Sequence, residues 1–184
     1  FFQEGDKLLR KGQRKKQGAA LLLLDLDHFK TVNDVNGHPI GDTTLQLAAA
    51  LIEQHLPGQA LPARLGADEF GVLIVSDQAA GEADVLAEAL VQELGKRLDV
   101  GGAAVHTGAS IGLACPDEPS EGLDRLMRRA DIAMYAAKHA GRNRACWFDQ
   151  SMERELHMRN AIETGIRDGV PLGQFVPFYE QQID

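Results

Sequence analysis

The chain has 184 residues, 44% of them hydrophobic, which is enough for one domain with a sizeable core and too little for two full domains. Its formal net charge of −8 speaks against the broad positive fields that general binding to nucleic acid or to an anionic membrane requires. No apolar run, Ala19 to Leu24 included, exceeds six residues, far below the roughly 20 that cross a bilayer.

No signal-peptide pattern opens the chain, so a soluble, cytoplasmic fragment without membrane contact is expected. Any membrane anchor of the full-length protein then belongs to upstream segments. Cys115 and Cys146 lack CxxC or Cys/His spacing, which predicts reduced thiols, and the six histidines form no zinc pattern.

In chain order, Glu4 to Gln17 reads as a helix with Lys7, Arg10, Lys11, Arg14 and Lys15 on one solvated face. A strand runs from Ala19 to Asp27, followed by a polar loop through Asn33, Asp34, Gly37 and His38. From about Asp42 to Leu56 the pattern is helical, with Leu45, Ala48, Leu51 and Ile52 inward. Ala60 to Leu65 and Phe70 to Val75 predict the two strands of a hairpin around Gly66, which supplies backbone freedom for the turn. Glu82 to Leu98 predicts a helix, and Val105, Thr107, Ala109, Ile111 and Leu113 alternate as one strand. A helix from Glu121 to Ala140 places Leu123, Leu126, Met127, Ala130, Met134 and Ala137 on its core side and ends at a left-handed Gly141. Ala145 to Phe148 reads as a short strand and Ser151 to Arg167 as a last amphipathic helix. Strands and helices interleaved around an antiparallel hairpin predict an α+β fold, a mixed central sheet flanked by helices.

The candidate chemistry lies in two acidic pairs. Asp68 and Glu69 occupy the tight turn of Arg64-Leu65-Gly66-Ala67-Asp68-Glu69-Phe70, and Asp25 and Asp27 share one face at the end of the first strand. Carboxylates from two strands can converge on one hard divalent cation, and Mg²⁺ favours oxygen ligands shared with substrate phosphates. Solvated strand-end caps are the plain alternative.

These residues, with Asp25-Leu26-Asp27-His28-Phe29-Lys30, Asn33-Asp34, Gly37-His38, Gly41-Asp42 and the stretch from Ala130-Asp131 through Tyr135, Lys138, Gly141, Arg142 and Asn143, resemble the GGDEF domain of diguanylate cyclases. That family joins two GTP molecules into cyclic di-GMP, and the resemblance covers nearly all of Ala19 to Phe148. It implies a sheet related to the palm of nucleotide polymerases and nucleotidyl cyclases, with the signature hairpin at the nucleotide site. By position it implies Mg²⁺ (or Mn²⁺) on Asp25, Asp68 and the Leu26 carbonyl, and guanine read by Asn33 and Asp42. It implies phosphates at Phe29, Lys30, Lys138 and Arg142, with Gly66 and Ala67 in the GTP-binding turn. Glu69, beside Asp68, would favour deprotonation of the attacking 3′-hydroxyl. Asp131 and His38 have the simpler readings of a local cap and a loop residue.

Three departures qualify the resemblance. Ala67 stands where the signature has glycine, and its Cβ either meets a closely approaching nucleotide or costs about 1–2 kcal/mol in a left-handed backbone. The family's inhibitory RxxD position holds Pro57-Gly58-Gln59-Ala60, so no such inhibitory site is expected. The chain also begins after the family's leading LTGLxNR-like segment.

Glu155 to Gly169 followed by Gln174-Phe175-Val176-Pro177-Phe178-Tyr179 resembles the start of an EAL domain, the cyclic di-GMP phosphodiesterase module; an accessory helix with a frayed tail is the alternative. The expected organisation is a GGDEF domain at 1–149, a linker helix at 150–170 and the start of a truncated EAL domain at 171–184. The expected partners are GTP, the adjacent EAL domain and, for catalysis, a second copy in a homodimer; no nucleic acid is expected. Three functions follow: a GTP- and Mg²⁺-binding regulatory domain acting on a downstream phosphodiesterase, an active diguanylate cyclase, or an interaction scaffold that has lost nucleotides.

Overall fold

A computed structural model describes residues 1–118 and 120–175. The chain divides into two units, Phe1–Phe148 and Asp149–Asp184. The first is built on a five-stranded sheet of order β2-β3-β1-β6-β7, where β1 is Gly18–Leu26, β2 Ala60–Arg64, β3 Glu69–Ser76, β6 Ala109–Ala114 and β7 Arg144–Trp147. β6 and β7 run parallel, and the other neighbours are antiparallel. The α+β architecture expected from the sequence is the one observed.

Alternation along β1 sorts the core between the two faces of the sheet. Leu22, Leu24 and Leu26 join Val72, Ile74, Ile111 and Leu113 against helices α3 (His38–His55) and α4 (Ala79–Leu94). Leu21 and Leu23 join Leu73 and Val75 against α1 (Phe2–Arg14) and α5 (Leu123–His139). Asp25 continues the odd-numbered row, so its side chain stands on the α5 face, with Glu69 as its cross-strand partner on β3. Away from the hairpin, the buried Arg129 guanidinium pairs with Asp117 and Glu121 and lies 5.2 Å from the centre of the Phe148 ring, pinning the loop before α5.

Three local expectations change. The polar loop expected through Asn33 is helix α2, Phe29–Asn36, held by burial of Phe29 and Val32 three residues apart on one face. The single strand expected from Val105 to Leu113 is two: β5 (Ala103–Val105) pairs with β4 (Leu98–Val100) in a separate ribbon turned by Gly101-Gly102, and β6 begins only at Ala109. Leu98 therefore belongs to that ribbon and not to α4. In the second unit α6 covers Gln150–Gly169, and the Asp149 carboxylate caps it by accepting from the Ser151 amide at 2.8 Å. The stretch Val176-Pro177-Phe178-Tyr179, on which the EAL resemblance rests in part, lies outside the described residues.

Candidate functional site

The signature turn is closed from both sides. The Glu69 carbonyl accepts the amides of Leu65 (2.9 Å) and Gly66 (3.3 Å), while Arg64 donates from Nε to the Gly66 carbonyl (3.1 Å) and from a terminal nitrogen to the Ala67 carbonyl (2.7 Å). Arg64 thus clamps the turn, a role that sequence reasoning did not assign. Neither Gly66 nor Ala67 adopts a positive φ, which corrects two expectations: Gly66 is not needed for backbone freedom and Ala67 carries no left-handed penalty. What Gly66 does provide is space, because an added Cβ would stand 3.0 Å from a Glu69 carboxylate oxygen. The turn joins the sheet through the Leu26 amide, which donates to the Asp68 carbonyl at 3.1 Å.

On the α5 face, Lys138 reaches Asp25 directly, Nζ to Oδ2 at 2.7 Å. Burial pushes the Asp25 carboxyl above the ordinary aspartate range; the Lys138 hydrogen bond and charge pull it back, and the charges of Asp68 and Asp27 push it up again. One lysine leaves this acidic cluster incompletely compensated. Asp25, Asp68 and the Leu26 carbonyl offer only oxygen donors, which suits a hard divalent cation. No group of three or more His, Cys, Asp or Glu side chains able to hold a metal occurs among the described residues. Asp27 does not join the cluster as the sequence pairing suggested: it is 3% exposed, and both its oxygens accept hydrogen bonds from the protein.

On the α3 face, a cavity of about 420 Å³ lies between α3 and the hairpin, lined by Asp42, Leu45, Ala49, Pro62, Arg64 and Phe70. Asn33 leans on α3 one residue before Asp42. Gly41 makes this possible, because an added Cβ would overlap the Asn33 amide oxygen and stand 2.9 Å from its Cγ. The Phe29 side chain is buried in the core, so only its backbone can meet a ligand. α2 opens after His28, which is left-handed at φ 58°, and no side chain caps its first amides. Uncapped amides at a helix start favour an anion. Lys30, Asp42 and Arg142 are exposed. The hairpin end of the sheet therefore gathers Asp25, Lys138, Asp68 and Glu69 on or beside one face and Asn33 and Asp42 at the other.

The sequence pattern of the family described as "Diguanylate cyclase, GGDEF domain" matches residues 1–144. The chain is 33% identical to the signaling protein YkoW of Bacillus subtilis, covering 96% of this chain and 22% of that protein. It is 34% identical to MucR of Pseudomonas aeruginosa, a bifunctional diguanylate cyclase/cyclic di-GMP phosphodiesterase, covering 97% of this chain and 26% of that one. It thus spans about a quarter of those relatives' length. The GGDEF domain of TpbB (YfiN) from P. aeruginosa superposes with a TM-score of 0.77 at 31% identity, covering 85% of this chain and 92% of that one. The GGDEF domain of DgcB from Caulobacter crescentus, solved with cyclic di-GMP, gives 0.72 at 30%, covering 79% and 86%. The chain belongs to the GGDEF domain family of cyclic di-GMP signalling proteins.

Proposed function

We propose that the chain binds GTP with Mg²⁺ or Mn²⁺ and acts as a regulatory domain on a downstream EAL phosphodiesterase in the same protein. The observation that carries this reading is the placement of Asp25 with Lys138 and of Asn33 with Asp42 around a single clamped hairpin. Asn33 and Asp42 match the donor edge of guanine, where an aspartate accepts from the ring and amino N–H groups. Lys30, Lys138, Arg142 and the first amides of α2 carry the positive charge that a triphosphate needs on an otherwise acidic protein. A cation held by Asp25, Asp68 and the Leu26 carbonyl would offset charge at the α-phosphate. MucR, by name both a diguanylate cyclase and a cyclic di-GMP phosphodiesterase, supports a phosphodiesterase in the same protein as such a domain.

The Ala67 methyl group weighs toward binding over chemistry. Arg64 holds the carbonyls on both sides of it, so the turn has little freedom to withdraw a side chain from an approaching nucleotide. The second reading, an active diguanylate cyclase, draws on the unstrained backbone at Ala67. Under it two domains face each other, each 3′-oxygen bonds to the partner's α-phosphorus, pyrophosphate leaves, and Glu69 favours departure of the 3′-proton.

Calorimetry with GTP and ATP, each with and without Mg²⁺, tests the binding. GTP-selective, Mg²⁺-dependent binding is expected, and no binding under any condition would leave the scaffold reading. Incubation with GTP and Mg²⁺ separates the other two, because sustained formation of cyclic di-GMP would overturn the regulatory reading in favour of the cyclase.

A further inference from the structure

Asp27 lies just past the end of β1 and is fixed from every side. Its Oδ1 accepts the Ser110 hydroxyl at 2.7 Å and its Oδ2 accepts the Asn143 amide at 2.9 Å. Its own amide donates to the Gly108 carbonyl at 2.9 Å, and its carbonyl accepts the Thr107 hydroxyl at 2.8 Å. The approach is close enough that a Cβ on Gly108 would stand 3.0 Å from both Asp27 Oδ2 and Asn143 Oδ1.

The turn on the far side of that bond is unusual. Gly141, Arg142 and Asn143 have φ of 113°, 60° and 43°, three successive residues with positive φ. Arg142 carries a Cβ for which this region is unfavourable, and Asn143, a residue better tolerated there, extends the run, so an anchor outside the turn helps to hold it. The Arg142 amide ties it back to the Ala137 carbonyl in α5 at 3.1 Å, and Asp27 ties it to the sheet. At 3% exposure, with each oxygen already accepting from a protein donor, the Asp27 carboxylate is turned into the protein, so its chemistry lies in what it holds.

We propose that Asp27 is a positioning residue: its carboxylate locks the left-handed turn after α5 and so presents Arg142, with Lys138 one helical turn earlier, to the triphosphate of bound GTP. The proposal rests on the GTP-binding reading above and assigns within it the residue that aligns the phosphate-binding end of α5.

The test compares Asp27→Ala and Asp27→Asn with the parent in calorimetric affinity for GTP and for GMP, with Mg²⁺, and in hydrogen exchange of the Asn143 amide without nucleotide. Asp27→Ala should lose protection at Asn143 and weaken GTP binding about tenfold or more, the scale of a misplaced charge-assisted contact. GMP, which lacks the tail, should bind within about twofold of the parent. Asparagine can accept from the Asn143 amide and donate to Ser110, so Asp27→Asn should restore most of both losses. Asp27→Ser, one bond too short to reach Asn143, should reproduce the split if the alanine variant does not fold. Equal losses for GTP and GMP, unchanged GTP affinity, unchanged exchange, or an asparagine variant as poor as alanine would each overturn the proposal. A parent chain that binds neither nucleotide overturns the GTP-binding reading itself, an outcome separable from the others because no variant enters it.

Discussion

Replacing Gly41 by alanine separates stability from recognition. Gly41 sits in the first turns of α3, where alanine is favoured over glycine by about 0.8–1.0 kcal/mol. The added Cβ would overlap the Asn33 amide oxygen and lie 2.9 Å from Cγ, whereas carbon pairs settle near 3.5–4.0 Å, so the amide must retreat by about 1 Å. The obstacle is the far end of a partly exposed side chain, so the cost of moving it is small and the helix gain should survive. Melting should stay level or rise by about 2–4 °C. A hydrogen bond lengthened by that distance is lost, and a guanine donor left unpaired should weaken GTP binding about five- to thirtyfold. Thermal melts and GTP calorimetry on Gly41→Ala, Asn33→Ala and the double variant read both quantities. The two single losses should not add, because both act through one amide. A destabilised Gly41→Ala variant with parental GTP affinity would refute the reasoning.

Asp42→Ala should weaken GTP binding far more than ATP binding in paired titrations; equal loss would remove Asp42 from base reading. Burial places the folded-state Asp25 pKa above its unfolded value, so its contribution to stability is full below the usual 3.8 and declines as pH rises through the folded value. Asp25→Asn should therefore melt at or above the parent at neutral pH, lose that advantage in melts below about pH 4, and abolish Mg²⁺-dependent GTP binding. Ala67→Gly should raise cyclic di-GMP formation at equal dimer concentration while GTP affinity stays within a few fold; unchanged initial rates would clear the methyl group of blame.

The parts of the site legible in the sequence are those where chemistry and periodicity coincide in one short window. Asp68 and Glu69 lie between two strand-forming runs, and Lys138 and Arg142 fall four apart as a predicted helix ends. α2 was hidden because Asn33, Asp34, Gly37 and His38 read as a loop, whereas its two anchors, Phe29 and Val32, are too few to show a period. The alternation from Val105 to Leu113 was misleading for a related reason: β6 is buried on both faces, between α4 and α5, so its pattern carries no information about where the strand begins. The role of Asp27 lay beyond any local pattern, since its partners Ser110 and Asn143 are 83 and 116 positions away. Spacing alone made Asp27 a twin of Asp25, and burial separates them.

Backbone strain gives an independent view of the same site. Among the described residues four without glycine's freedom have positive φ: Lys16, His28, Arg142 and Asn143. Lys16 ends α1, where a left-handed residue lets the Gln17 amide return to the Gly12 carbonyl at 3.0 Å, an ordinary helix stop. The other three lie at the start of α2 and in the turn after α5, where Gly141 already supplies the left-handed residue of the helix stop and the Arg142 amide returns to the Ala137 carbonyl. His28 sets the entry of α2 so that its uncapped amides begin at Phe29, and Arg142 and Asn143 form the turn that Asp27 anchors. Unfavourable conformations persist only where surrounding contacts over-determine them. Here they flank the two ends proposed to hold phosphate, one reached from β1 and one from α5. The fold thus spends conformational energy at both turns proposed to face phosphate, while the side proposed to read the base, Asn33 and Asp42, rests on relaxed helices. Relief of strain by substitution at Asn143 should accordingly act on the triphosphate and leave guanine recognition in place.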